Sequence, residues 1–247
     1  MKIIPLSSGS SGNSYVIKKD DDVLLIEAGL AANDLKEKLW DNDLNLKNIN
    51  NCIVSHLHLD HSKSAGFLTK RGVNVLMTQS AIEGVFKGGM RKDRVFYLEP
   101  NKTYRMDNFV VKPFDLSHDN IPTVGFLVMH KPSEELLFYA SDTMYIAYKP
   151  QGVKYWLVEV NYQEKYLEEA IKEGRMTREN MRRIKRSHMS LKTAVEFFKA
   201  QDLSKTEEIW VLHLSDRNSN ADEVKEKLQE TTGKEVYIAW QKLLLTI

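Results

Sequence analysis

A chain of 247 residues, 42% hydrophobic and 28% charged, is long enough for a packed core and excludes a disordered or fibrous protein. Thirty-five Lys and Arg against 34 Asp and Glu leave a net charge of +1, so no strong overall field announces a nucleic-acid partner. No apolar run approaches the ~20 residues of a membrane span, the start of the chain, broken by Pro5, is too short for a signal peptide, and a single cysteine allows no internal disulfide, so a reducing, cytoplasmic location is expected.

Residues 2–6, 15–19 and 23–27 read as three short strands. The first two are joined by Ser7-Ser8-Gly9-Ser10-Ser11-Gly12-Asn13-Ser14, whose small side chains would let backbone N–H groups approach an anion. Ser10, Ser11 and Asn13 are therefore candidates to line a site mouth. Asn33 and Asp34 can cap a helix running to about residue 43. The apolar Cys52-Ile53-Val54 follows, with Cys52 expected in the core, and further helices begin at residue 62 or 63 and at residue 80. Residues 109–115, 124–130, 136–140 and 155–160 are expected to be strands. Residues 163–187 read as helices broken near Gly174, the later part basic. Residues 190–201 form an amphipathic helix with Leu191, Ala194, Val195, Phe197 and Phe198 toward the core. Strands at 209–214 and 236–239 flank a helix at 221–231. No internal repeat or linker interrupts this order, so residues 1–247 are expected to form one layered α/β domain with two sheets face to face.

Directly after Val54 comes Ser55-His56-Leu57-His58-Leu59-Asp60-His61. Imidazole and carboxylate are ligands that suit zinc, manganese or iron, and burying so many ionisable groups without a metal is costly. In an extended segment His56 and His58 point to one face. A turn at Leu59 can aim Asp60 and His61 at a second ion, and metal pairs roughly 3.5–4 Å apart serve displacement at phosphorus or at a carbonyl. Three further candidates stand at strand ends: His118, Asp142 and His213. Strand ends converging on one edge are where open α/β sheets place their sites.

With these residues in this order, the chain resembles the metallo-β-lactamase superfamily over nearly its whole length. The resemblance implies a four-layer αββα sandwich with the site at one edge of the two sheets. It implies that His56, His58 and His118 hold one ion, that Asp60, His61 and His213 hold a second, and that Asp142 bridges them. The serine-glycine loop before Asn13 looks like that of the YycJ/WalJ-like branch, whose members resemble 5′-exonucleases. Leu57 departs from the Thr of many relatives, at a position that is not a ligand.

Glu159-Val160-Asn161-Tyr162 and Ser187-His188-Met189-Ser190 are similar to elements of the ribonuclease Z group of phosphodiesterases. There a histidine lies over the scissile phosphate, oriented by a carboxylate. His188 is therefore the candidate general acid or phosphate contact and Glu159 its orienter; the plain alternative makes His188 a helix residue beside the cap Ser187. Asp119 reads as a supporting or surface carboxylate and His130 as a strand-end residue without a role. Arg182, Arg183 and Arg186 lie near one helix face immediately before His188, and guanidinium forks match phosphate.

The expected activity is hydrolysis of phosphodiester bonds in nucleic acid by a hydroxide bridging two divalent ions, Zn²⁺ or Mn²⁺, with Asp60 orienting that hydroxide. The alternative is a phosphodiesterase on a small nucleotide such as a cyclic mononucleotide; a thioester or lactam hydrolase fits His188 less well. The expected partner is nucleic acid or a nucleotide, with no membrane, and the resemblance allows a homodimer.

Overall fold

The computed structural model describes residues 1–85 and 89–244. The first half builds one sheet. An antiparallel meander, β1 (Lys2–Ser7), β2 (Ser14–Lys19) and β3 (Asp22–Ile26), is followed by α1 (Ala32–Trp40) and β4 (Asn51–Val54). A single turn, α2 (Leu59–Ser62), then leads to α3 (Ala65–Lys70), β5 (Asn74–Met77), α4 (Gln79–Val85) and β6 (Val95–Tyr97). The six strands lie in chain order, β3 to β6 parallel.

The second sheet begins with β7 (Tyr104–Met106), β8 (Phe109–His118), β9 (Ile121–His130) and β10 (Glu135–Ala140), all antiparallel. It continues in parallel through β11 (Tyr155–Glu159), β12 (Glu208–Leu212) and β13 (Glu235–Ile238). Between β11 and β12 run α5 (Glu164–Lys172), α6 (Arg178–Ser187) and α7 (Leu191–Lys199). Then α8 (Ala221–Thr232) precedes β13, and α9 (Ala239–Leu244) follows it.

Strand side chains alternate in direction, and the buried residues divide accordingly. Ile3, Tyr15, Ile17, Leu24, Ile26 and Ile53 of the first sheet meet Val111, Phe126, Val128, Tyr139 and Leu157 of the second in a central core. The intervening Val16, Leu25, Cys52, Val54 and Val75 face Leu35 and Leu39 of α1 and Leu68 of α3. On the far side Phe138, Trp156, Val158 and Val211 face Phe197 and Phe198 of α7 and Leu228 of α8. The result is the four-layer αββα sandwich that the resemblance implies, with the two sheets face to face as the residue pattern predicts. Among the described residues no helix is long and apolar enough to cross a membrane.

Several local expectations need correction. Helix α1 is capped at Ala31 without a side-chain bond, so Asn33 and Asp34 lie inside its first turn. Strand β8 runs on through His118 because Asp119 and Asn120 both take positive φ, 41° and 57°. Those angles give the tight two-residue hairpin whose handedness matches strand twist. Ser187 ends α6 rather than capping a helix, and Ser190 caps α7 by accepting the Thr193 N–H at 3.1 Å. His130 is not idle: its Nε2 lies 3.0 Å from Asp22 Oδ2 and its Nδ1 2.8 Å from Ser133 Oγ, tying the start of β3 to the β9–β10 turn. Cys52 is fully buried in the core.

Candidate metal centre

Strand β4 of the first sheet and the parallel strands β10, β11 and β12 of the second end at one edge of the sandwich, and each delivers site residues at or just past its last paired residue. At two of these ends a non-glycine residue turns left-handed: Asp142 has φ 53° and His213 φ 51°. Glu27, after β3, does the same at 65°. Such residues cost of order 1–3 kcal/mol each and persist where surrounding structure holds them. Here the turn swings a polar side chain off the strand and into the gap between the sheets.

The histidine-rich segment follows β4. His56 lies in the extended stretch, His58 caps the single turn α2, and Asp60 and His61 lie on that turn. His56 Nε2 approaches His58 Nδ1 to 3.0 Å, and His58 Nδ1 lies 3.2 Å from His118 Nε2. Asp142 Oδ2 stands 3.7 Å from His56 Nε2 and 3.6 Å from His118 Nε2. On its other side the same oxygen is 3.2 Å from His61 Nε2. Asp60 Oδ2 lies 3.6 Å from both His61 Nε2 and His213 Nε2, and His213 Nε2 is 3.8 Å from Asp142 Oδ1. The structure thus brings together His56, His58, His118 and Asp142 as one group, and Asp60, His61, Asp142 and His213 as another. Bonds of ~2.0–2.1 Å in tetrahedral geometry imply donor–donor edges of about 3.3–3.4 Å, and the observed separations scatter around that value. Among the described residues His213 Nε2 is buried with no hydrogen-bond partner, an expensive state that a cation would relieve. On both counts the residues fit divalent ions.

Supporting contacts fix these rings. His118 Nδ1–H donates to the Ser187 carbonyl at 2.9 Å, leaving the Nε2 lone pair toward the cluster. His56 Nδ1 meets Ser55 Oγ at 2.9 Å. Asn161 Nδ2 donates to the His213 carbonyl at 2.9 Å and lies 3.0 Å from its Nδ1. Glu27, fully buried, accepts from the Ser55 N–H and from Tyr139 Oη, and its Oε1 lies 3.5 Å from His61 Nδ1. Glu27 and Asn161 carry no expected role; the only signal in the chain is a charge closing the apolar run Val23-Leu24-Leu25-Ile26, and an amide two residues after Glu159.

The serine-glycine loop is tied into the centre. Ser8 Oγ accepts the His213 N–H at 3.0 Å and lies 2.8 Å from Tyr15 Oη. Asn13 is fully buried; its Nδ2 is 3.1 Å from His61 Nε2 and its Oδ1 accepts from Tyr15 Oη. Asn13 therefore faces the histidines, while Ser10 and Ser11 are exposed and line a cavity of about 760 Å³ that opens on His213.

Charge divides the two groups. Burial, then the neighbouring His61, holds His56 well below the usual imidazole range, and burial with His118 lowers His58. In the second group burial opposes the charged rings, but Asp142 with Glu27 at His61, and Asp142 with Asp60 and Glu159 at His213, together outweigh it and raise both. Burial alone would raise Asp142; His213 and His61 instead push it well below the carboxylate range. For Asp60 burial is likewise overcome by His213 and His61 together, which lower it.

Beside His213 and His118 sits His188, at ring separations of 5.3 and 5.4 Å. Its Nδ1 is 2.6 Å from Glu159 Oε1. Glu159 is fully buried and held by the Thr143 N–H at 2.9 Å. Burial disfavours the imidazolium, but the Glu159 carboxylate outweighs it and raises His188 to about 9. Asp119, on the hairpin turn, accepts from Ser187 Oγ and stands 3.8 Å from Arg183. Arg183 lines a second cavity beside His188, whereas Arg182 and Arg186 are exposed and line neither of these cavities.

The profile of the Metallo-beta-lactamase superfamily matches residues 8–134. The chain belongs to this superfamily. It is 28% identical over 152 residues to an exodeoxyribonuclease YycJ of Bacillus anthracis, a match covering 60% of this chain and 56% of that relative's length. It is 22% identical over 223 residues to an exodeoxyribonuclease WalJ of Streptococcus pneumoniae serotype 2, covering 87% of this chain and 81% of the relative. Among solved structures, the metallo-beta-lactamase fold protein YhfI of Bacillus subtilis superposes with a TM-score of 0.73 at 16% identity, over 96% of this chain and 95% of that one.

Proposed function

We propose that this chain is a metal-dependent phosphodiesterase that cleaves nucleic acid, in the manner of a 5′-exonuclease. The observation that carries the reading is the 2.6 Å His188–Glu159 contact at the rim of the histidine cluster. It supplies a proton donor where a leaving oxygen would depart, and the similarity to two exodeoxyribonucleases supports the same chemistry. In this reading His56, His58 and His118 hold one ion, Asp60, His61 and His213 a second, and Asp142 stands between them; zinc and manganese both suit such donors. Divalent ions there supply Lewis-acid polarisation of phosphoryl oxygens and make water nucleophilic near neutral pH.

The remaining work falls to the chain itself. Asp60, half-buried, can orient the attacking water through its free oxygen. Glu159 holds His188 charged and aims its other ring nitrogen outward. His188 then gives its proton to the leaving oxygen, a contribution of ~10²–10⁴-fold in general.

The test is turnover by protein loaded with Zn²⁺ or Mn²⁺ on end-labelled DNA and RNA, cyclic mononucleotides and bis(p-nitrophenyl) phosphate. Strand shortening from one end is expected. Hydrolysis confined to cyclic mononucleotides would make the substrate a small nucleotide, and no turnover of any phosphodiester would sink the proposal.

A pH profile tests His188 separately. Because its folded pKa is raised, the acid form is present at low pH and lost on going through about 9. Cations beside His213 pull that value down, so the alkaline limb for a nucleoside leaving group is expected at or below pH 9. Glu159→Gln should move the limb toward ~6.5. With p-nitrophenolate, which leaves without protonation, the limb should be weak in both proteins. A limb that ignores the leaving group would exclude His188 as the acid.

A further inference from the structure

Next to the 760 Å³ cavity at the histidine cluster lies another of about 890 Å³. The two share Ile184, His188, Asp216, Arg217 and Asn218, so they are halves of one groove with His188 between them. Drug-sized ligands fill clefts of ~300–1,000 Å³, so each half has room for a nucleotide-sized group. The outer half carries three guanidinium groups, Arg175, Arg183 and Arg217, against one carboxylate, Asp216. Arg175 is engaged by Glu173 and Arg183 faces Asp119 at 3.8 Å. Arg217 is exposed, and among the described residues no carboxylate lies within ion-pair distance of it.

The neighbouring Asn218 points to a ligand independently. It is only 9% exposed, and its Oδ1 is buried without a hydrogen-bond partner among the described residues. Its backbone is fixed on both sides: the N–H donates to the Ser215 carbonyl at 3.3 Å and the carbonyl accepts the Gln163 N–H at 2.9 Å. A buried amide oxygen left unsatisfied is costly unless a donor reaches it. In the inner half Trp240 lines the cavity, and its Nε1 also lacks a partner among the described residues.

We propose that the outer half of the groove is a binding subsite for the nucleotide adjoining the scissile bond of a single strand. Arg217 holds its phosphate, and the Asn218 amide receives a sugar hydroxyl or base N–H. The subsite rests on the phosphodiesterase reading for its orientation and goes beyond it in substrate class. A cyclic mononucleotide fills one half only, whereas a strand running past His188 uses both.

The experiment measures fluorescence anisotropy of 3′-labelled, phosphorothioate-linked single-stranded DNA of two, four and six residues on Mn²⁺-loaded protein. Affinity is expected to tighten by about tenfold or more from two residues to four. Arg217→Gln should cancel most of that gain and lower the slope of log K against log salt by ~0.7, one phosphate contact on a single strand. Arg217→Glu should weaken binding further, and its exposed position keeps either variant folded. Unchanged affinity of Arg217→Glu, or affinity independent of length and matched by a cyclic mononucleotide, would overturn the subsite. Hydrolysis of bis(p-nitrophenyl) phosphate by the unsubstituted protein is scored apart. Strand binding lost in the Arg217 variants without any ester hydrolysis leaves the subsite standing and rejects the phosphodiesterase.

Discussion

Asp142→Asn is expected to cut turnover of any phosphodiester by about 10³-fold or more and to lower bound metal to one ion per chain or fewer. The reason lies in the position of one oxygen. Asp142 Oδ2 is within 3.7 Å of nitrogens from His56, His118 and His61, and Oδ1 reaches toward His213. Among the described residues no other carboxylate belongs to both histidine groups. Asparagine preserves volume and removes the charge, so two cations would face each other across a neutral amide. Its NH₂ would also have no acceptor among ring nitrogens that are themselves committed. Metal analysis on freshly purified protein, paired with kcat/KM on bis(p-nitrophenyl) phosphate, decides the matter. Two ions per chain with an unimpaired rate would remove Asp142 from its assigned place. Asp60→Ala offers a graded comparison: Asp60 touches only the second group, so the first ion should remain while activity is lost.

What the chain discloses before folding follows from where its information sits. The four candidate ligands His56, His58, Asp60 and His61 lie within six positions, and His118, Asp142 and His213 stand at or just past strand ends, so local pattern singles them out and the resemblance gathers them at one edge. The short continuous apolar runs of β2, β3 and β10 likewise mark strands buried on both faces. Strands β6 and β7 go unread because they are three residues long and partly exposed, leaving little alternation to detect. The true end of β8 is hidden because Asp119-Asn120 makes a left-handed turn without glycine. Glu27 reads as the last residue of a strand; only the fold, which brings Tyr139 and Ser55 to it across 112 and 28 positions, reveals the carboxylate behind His61. Arg217 and Asn218 stand in an unpatterned loop, and nothing local marks them.

Gly29 is the extreme case of long-range information, and its substitution carries the other large expected effect. A Cβ placed there would lie 1.7 Å from the Asp60 carbonyl oxygen and 2.6 Å from the Asn13 backbone nitrogen. Both obstacles are backbone, so no side-chain rotation relieves the clash. The crossing is also held by hydrogen bonds: Asn13 N–H donates to the Asp60 carbonyl at 2.7 Å, Gly29 N–H to the Asn13 carbonyl at 2.9 Å, and Ala28 N–H to the His61 carbonyl at 2.8 Å. Three segments distant in sequence thus meet at one point beneath the second histidine group. Gly29→Ala must force them apart by more than 1 Å, moving Asp60 and His61 together with the loop that steadies His61 through Asn13. Overpacking of this kind costs ~1–3 kcal/mol, and loss of the backbone bonds adds to it, so a fall in Tm of several degrees is expected. A displacement near 1 Å costs ~10²-fold in rate where positioning matters. The first group, His56, His58 and His118, lies outside this crossing, so Gly29→Ala should retain one ion more firmly than the other. Metal titration followed by calorimetry separates the two affinities. Equal weakening of both would mean that the substitution acts through global destabilisation, and an unaltered protein would mean that the crossing has slack the geometry does not allow.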